Sequence, residues 1–283
     1  MKNDKSLGQH WLKDRGVLAE IAGYGAEVAG ENTVALEIGP GLGTLTSALL
    51  RRFRWVVAVE YDKRLADNLP KQFVGANLTV VNADFLTFDL TKMQDYGVSE
   101  GGESVSDSGG EGDYVVVANI PYYITAKIIQ KLVEAKKPPK RAVLLVQKEV
   151  AERIAGGAGE WSANGGGRGK SSLLSLMVAE RAAASLGLVV GREYFTPPPK
   201  VDSQVLILDF GAKKPMSEAE NKRFWRVVRA GFSSPRKKLA KNLAAVGSKE
   251  RVAEAFAELK INENARAEDL DFATWRGLAA KLG

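Results

Sequence analysis

Val115-Val116-Val117-Ala118-Asn119-Ile120-Pro121-Tyr122-Tyr123 is the run from which the rest of the chain can be placed. Its β-branched half predicts a strand buried on both faces, as in a parallel sheet. Strands of that kind present ligand groups at their carboxyl ends. Asn119 stands there with an amide that both accepts and donates hydrogen bonds. Pro121 holds Ile120 extended and has no N–H, which keeps the neighbouring carbonyls turned outward instead of into a helix. Tyr122 offers a flat face on which a base can stack. The parts describe a pocket for a planar group with an exocyclic amine. Taken alone, the same run also fits a strand that ends in an ordinary proline turn.

Outward from that run, strands and helices alternate. Strands are expected at 34–38, 55–59, 78–81 and 141–146, and helices at 14–29, 44–52, 65–73 and 127–134, the first capped by Asp14. This βαβα order predicts an α/β fold with a mostly parallel sheet and helices on both faces, Rossmann-like in its layering. A helix is expected at 173–184. Strands at 186–190 and 205–210 should form a hairpin-like edge around the Pro-rich Phe195–Ser203, which suits neither a helix nor a central strand. Residues 97–112 and 156–169 are rich in Gly and read as a surface insertion and a loop. The main domain is expected to run from 1 to 211. After it, 218–231, 236–245, 250–259 and 269–282 have helical periodicity and make 212–283 a small helical domain.

Composition narrows the function. The chain has 283 residues, no Cys and a single His, His10. Disulfides, thiol nucleophiles and His-based triads are excluded, and no metal site is expected. The polar start, Met1-Lys2-Asn3-Asp4-Lys5, predicts no signal peptide and a cytoplasmic protein, and no apolar stretch is long enough for a membrane span. The net charge is +6, and residues 213–283 hold 16 Lys/Arg against 9 Asp/Glu, so the excess sits in the last quarter. Such a concentration points to a polyanion, nucleic acid first. Between Lys222 and Lys241 there are eight basic residues and no acidic one. Arg223, Arg226, Arg229, Arg236, Lys237, Lys238 and Lys241 are the candidate phosphate contacts, whereas Phe224, Trp225 and Phe232 suit a core.

Glu37-Ile38-Gly39-Pro40-Gly41-Leu42-Gly43 follows a strand and opens a helix. Its glycines permit a sharp turn and close approach to a ligand. A dinucleotide site would want Gly-x-Gly-x-x-Gly, but Thr44 takes the last position. An acid ahead of Gly-x-Gly-x-Gly suits a ligand without pyrophosphate, with Glu37 facing a positive charge. Glu60, ending the next strand, is placed to accept two ribose hydroxyls. Asp84, after the third, can accept from an adenine amine, with Phe85 packed against the ring. Cation, ribose and adenine together describe S-adenosylmethionine. Each acid has a plainer reading, as a salt-bridge residue, a surface acid or a helix cap; three at consecutive strand ends argue for a set.

On these blocks the chain resembles the ribosomal RNA adenine N6,N6-dimethyltransferase family, in particular its small-subunit (16S) branch. The resemblance spans nearly the whole chain, through Ser6–Leu12, Glu37–Gly43, Val59–Asp62, Asn82–Asp84, Asn119–Tyr122, Gln147–Ala151, Phe195–Ser203 and Phe232–Leu239 in the family's order. It implies that His10, Leu12, Gly39, Glu60, Asp84 and Asn119 contact S-adenosylmethionine. It also implies dimethylation of two adjacent adenosines in a hairpin loop near the 3′ end of small-subunit rRNA, with the helical domain helping to hold the RNA. The expected partner is that rRNA or the immature small subunit, and the expected state a monomer. Ile120 stands where this branch usually has Leu, and Ile is common in the large-subunit, antibiotic-resistance branch. Ser171-Ser172 replaces the usual Tyr-Gly, and Pro235 interrupts a paired-Arg position. Methylation of large-subunit rRNA is therefore one alternative; a ribosome-assembly factor acting by binding is another.

The chemistry agrees with the residues. Asn119 and the Ile120 carbonyl, accepting both hydrogens of an adenine amine, would localise its lone pair toward a methyl donor. Pro121 shapes that loop, Tyr122 would hold the base, and Phe195 is the expected group on its other face.

Overall fold

The computed structural model describes residues 10–96, 114–157, 170–211, 213 and 216–283. Lys5–Gln9 of the leading block, the 97–112 insertion and most of the 156–169 loop lie outside the described residues. Gly156 and Gly157 instead close a helix.

In chain order the elements are β1 (Trp11–Leu12), α1 (Arg15–Ala26), β2 (Val34–Ile38), α2 (Thr44–Leu49), β3 (Trp55–Glu60), α3 (Lys63–Gln72), β4 (Leu78–Asn82), β5 (Tyr114–Asn119), α4 (Thr125–Glu134), β6 (Arg141–Gln147) and α5 (Lys148–Gly157). Then come α6 (Leu173–Arg181), β7 (Ala183–Val190), β8 (Phe195–Thr196), β9 (Ser203–Asp209), α7 (Glu218–Gly231), α8 (Leu239–Leu243), α9 (Lys249–Glu258) and α10 (Phe272–Leu282). They divide into two compact units: Met1–Ala151 with Ser185–Gly211, and Glu152–Ala184 with Ala212–Gly283.

The first unit is built on a seven-stranded sheet ordered β4-β3-β2-β5-β6-β9-β7. Strands β4, β3, β2, β5 and β6 are parallel, and β9 runs antiparallel beside β6. All of β2 is buried, as the unbroken apolar runs demand of strands covered on both faces. The chain moves outward from β2 through β3 to β4 and returns on the other side of β2 as β5. The strand order therefore reverses between β2 and β5, where open α/β sheets place their ligands. Asp14 caps α1 as expected, accepting from the Val17 N–H at 2.8 Å. Beneath α1 and α2, Leu18, Ile21, Leu45 and Leu49 share one core with Val115, Val117 and Val143 of the sheet.

Three expectations need correction. The helix expected to reach Ala184 stops at Arg181, and Ala183 already belongs to β7. Alanine favours helix, but strand pairing overrides so weak a preference. The helix expected over 236–245 is confined to Leu239–Leu243. Asn242 instead donates to the carbonyls of Gly231 (2.6 Å) and Ser234 (3.0 Å), which holds the Ser233-Ser234-Pro235 segment as an irregular turn. The helical unit is also larger than the expected 212–283, because it takes in 152–184. Leu176 of α6 is buried with Phe224, Val227, Trp275 and Leu278, and Glu180 accepts from Trp225 Nε1 at 2.9 Å and from Asn221. Helix-forming sequence on both sides of β7 and β9 thus builds one core, which linear order conceals.

Candidate active site

Strand registers bring four chain segments to the carboxyl end of the sheet: Ile38 pairs with Val59, Glu60 with Asn82, and Glu37 with Val117, two residues before Asn119. The turns that leave β2, β3, β4 and β5 surround a cavity of about 390 Å³. Its lining includes His10, Leu12, Glu37, Gly39, Gly41, Glu60, Asp84, Phe85, Asn119, Ile120, Pro121 and Tyr122. The candidate residues of five separate blocks are therefore neighbours.

The glycine turn is shaped by backbone. Gly39 and Gly41 have φ of +64° and +57°, a region that L side chains avoid. A Cβ on Gly39 would meet nothing within 4 Å, so that position opens on free space. A Cβ on Gly41 would lie 2.0 Å from the Trp11 ring, which covers the turn.

Two carboxyls form the polar part of the floor. Glu37 is 1% exposed and accepts from Thr46 Oγ1 at 2.6 Å. Burial, helped by the nearby Glu60, pushes its pKa up to about 8. Glu37 therefore holds a proton at neutral pH unless a cation enters. The Glu60 carboxylate is fixed from two sides, by the Gly41 N–H (3.0 Å) on one oxygen and the Asp62 N–H (2.9 Å) on the other. Its pKa is raised, first by burial. Each oxygen still has accepting capacity. Asn82 Nδ2 braces the same turn by donating to the carbonyls of Glu60 (2.9 Å) and Tyr61 (3.1 Å).

Asp84 is exposed and accepts from the Leu86 N–H through Oδ1 at 2.8 Å, so part of its plainer capping role is real. Phe85 is buried and stacks on Phe88, with Lys131 Nζ 5.6 Å from its ring centre. Lys131 also donates to the Leu86 carbonyl at 3.0 Å and so holds the turn from behind.

At the end of β5, Asn119 Nδ2 donates to the His10 carbonyl at 3.2 Å. The amide oxygen and the second Nδ2 hydrogen are left for a ligand. Tyr122 stacks on His10, centres 5.7 Å apart, and its hydroxyl bonds Ser203 Oγ at 2.7 Å. Burial raises the Tyr122 pKa, so the hydroxyl stays protonated. His10 is itself anchored to the Pro197 carbonyl at 2.8 Å.

Phe195, expected on the other face of the base, is placed elsewhere in this structure. It does not line the cavity. Its backbone pairs with Leu12 between β8 and β1, and its side chain is 3% exposed in the core with Leu18, Val190 and Val205. The ring beside Tyr122 is that of His10. Trp11, Tyr61 and Tyr123 were not singled out from the sequence, yet all three line the cavity, and Tyr61 and Tyr123 are 68% and 63% exposed. The one available signal was their position immediately beside the motif residues.

Arg223, Arg226, Arg229, Arg236, Lys237, Lys238 and Lys241 are all exposed on the second unit. On α7, Lys222, Arg226 and Arg229 recur at helical spacing opposite buried Phe224, Val227, Val228 and Gly231. Arg226 also donates to the Leu282 carbonyl at 2.9 Å. Phe224 and Phe232 pack against Trp225, Phe272 and Trp275, as the core assignment expects. Among the described residues, no group of three or more acidic or His side chains is arranged for a metal. Among the same residues, no helix is long and apolar enough to cross a membrane.

A family described as ribosomal RNA adenine dimethylase matches residues 1–282. Curated relatives bear the name ribosomal RNA small subunit methyltransferase A. The one from Fusobacterium nucleatum is 34% identical, over 95% of this chain and 93% of its own. That from Synechococcus elongatus is 36% identical, over 99% and 95%. Among solved structures, the 23S rRNA methyltransferase ErmE superposes with a TM-score of 0.74 at 27% identity, covering 96% of this chain and 99% of its own. A dimethyladenosine transferase from Plasmodium falciparum gives 0.67 at 25%, covering 95% and 96%.

Proposed function

The chain belongs to the ribosomal RNA adenine dimethylase family, and on that premise we propose how its own residues perform the reaction. The protein is an S-adenosylmethionine-dependent enzyme that dimethylates N6 of adenosines in small-subunit rRNA: its family is described as a ribosomal RNA adenine dimethylase and its curated relatives as small-subunit rRNA methyltransferases. The 23S enzyme among its structural neighbours is a related branch, and Ile120 is the cavity residue that the resemblance associates with it.

The cavity suits the methyl donor. Gly39 opens on space that any side chain would fill, and Glu37, buried without a cation, is matched to a positive ligand. Glu60 would take the ribose hydroxyls with the lone pairs that Gly41 and Asp62 leave free. Asp84 Oδ2 and Phe85 would hold the adenine, while His10 and Leu12 close the cavity beside Asn119. S-adenosylmethionine supplies an activated methyl group on a sulfonium.

The single observation that carries the mechanism is the orientation of Asn119. With Nδ2 committed to the His10 carbonyl, Oδ1 accepts one hydrogen of the target amine, and the Ile120 carbonyl accepts the other. An adenine amine is a weak nucleophile because its lone pair is spread into the ring. Two acceptors in fixed positions draw that lone pair out of conjugation, and such preorganised dipoles are the largest aid available to a displacement. Pro121, with φ −60° and ψ 132°, keeps the loop extended. Tyr122 stacks on the base once it has left the RNA helix. No base is needed before transfer, since the proton leaves a cationic product.

Asn119→Ala should lower methyl transfer at least 100-fold, on the scale seen when one preorganised group is removed, while RNA affinity stays within about twofold, well under 1 kcal/mol. Transfer at the wild-type rate would refute the assignment of this loop. The finer reading is of a cytoplasmic monomer that meets its rRNA on the immature small subunit, with the exposed basic run on α7 and after it as a phosphate surface. Sedimentation of the protein alone and with immature subunits tests the monomer and the subunit partner.

A further inference from the structure

Beside the reaction cavity lies a second hollow, of about 860 Å³. Its apolar floor is Leu18, Ala19, Leu42, Ala48 and Phe73. Lys13 and Arg15, where α1 begins, and Arg51 and Arg52, just after α2, bring four cationic side chains to its edge. All four are exposed, and the residues lining the hollow include no acid.

Elsewhere in the same unit, some cations are neutralised locally. Lys63 pairs with Asp67, Arg64 with Asp62, and Arg141 with both Glu27 and Asp209. Among the described residues, the four around the hollow are in no such pair. Arg52 instead rests its guanidinium against Gly23 of α1, about 3.8 Å from where a Cβ would stand. Like charges converging on one concavity repel one another, and a polyanion relieves that repulsion while gaining from each phosphate it brings. Position adds a second argument. Leu18 and Thr44 line both this hollow and the reaction cavity, so whatever occupies one lies next to the other.

We infer that this hollow is a second RNA surface, where Lys13, Arg15, Arg51 and Arg52 hold backbone phosphates of the strand whose target base enters the adjoining cavity. It is separate from the basic run on the helical unit. The inference rests on the assignment of the protein as an rRNA methyltransferase. Apolar floor and basic rim suit a strand with one unstacked base facing inward and its phosphates outward.

The test compares the full-length protein with two pairs of substitutions that remove equal charge: Arg51→Gln with Arg52→Gln, and Lys92→Gln with Lys136→Gln. Each protein is titrated with an unmethylated 3′-hairpin fragment of small-subunit rRNA over a salt series, and its S-adenosylmethionine affinity is measured calorimetrically. Taking away cations that neutralise phosphates should flatten the plot of log affinity against log salt, by about 0.7 to 0.9 for each phosphate no longer neutralised. The expected result is that flattening for the Arg51/Arg52 pair only, with S-adenosylmethionine affinity unchanged. Adding Lys13→Gln and Arg15→Gln should flatten it further. An unchanged slope overturns the inference, as does a loss of S-adenosylmethionine affinity without a change in slope. If the wild-type protein bound the hairpin but transferred no methyl to small subunits, the enzymatic assignment would fall, while the slope would still decide the hollow.

Discussion

Glu37 is a carboxyl taken out of water beside a second carboxyl, with a threonine hydroxyl as its hydrogen-bond donor. Its folded pKa of about 8 lies above the ordinary 4.5. Below the ordinary value it is protonated whether folded or unfolded, and the fold loses nothing. As pH rises, the unfolded chain releases the proton and the folded chain keeps it. The ligand-free protein therefore loses stability from this group as pH rises, until pH reaches the folded value. Glu37→Gln should make the ligand-free protein more stable than wild type at about pH 8, as melting curves across the pH range will report. A cation in the cavity reverses the preference, because it favours the ionised carboxyl. Wild-type affinity for S-adenosylmethionine should rise with pH over the same range, and Glu37→Gln should flatten that rise. Gly39→Ala tests the neighbouring turn: its left-handed φ costs a side chain about 1–2 kcal/mol, and the methyl enters the open side. The melting point should fall modestly and S-adenosylmethionine affinity at least tenfold, more than 1.4 kcal/mol.

At the scale of elements, the strand ends were legible because buried parallel strands have a distinctive composition and their motif residues fall on the carboxyl edge. β2, β3, β4 and β5 occur within a residue or so of their expected limits. The strand that holds Phe195 was not legible, for the opposite reason. A two-residue strand such as β8 has no periodicity, and its pairing with β1 across most of the chain leaves no local trace. The region after α7 failed likewise: basic residues suit a helix, but Asn242 commits its amide to two carbonyls and fixes a turn. That turn carries Arg236, Lys237 and Lys238. Asn242→Ala leaves buried carbonyls without a donor, which costs about 1–3 kcal/mol. It should weaken RNA binding several-fold without altering S-adenosylmethionine affinity, checked by the two titrations side by side. Equal RNA affinity would show that the basic run acts without the turn.

For the whole molecule, two compositional facts are reconciled by the reaction. A chain with one His and no Cys is poor in nucleophiles and proton carriers, yet methyl transfer to an amine needs position and dipoles more than either. The excess of positive charge suits a substrate that is a polyanion. What one-dimensional sequence hid was the composition of the second unit, where α5 beyond Ala151 and α6 join helices that follow more than thirty residues later. Leu176 and Glu180 carry no mark that their partners lie on helices after Gly211.

The measurement that bears most directly on the account supplies labelled S-adenosylmethionine to the protein with unmethylated small subunits and, separately, with large-subunit rRNA. Each RNA is then digested to nucleosides. The account predicts labelled N6,N6-dimethyladenosine from the small subunit alone, lost with Asn119→Ala. Label confined to the large-subunit RNA, or none in either while the small subunit is still bound, would contradict it.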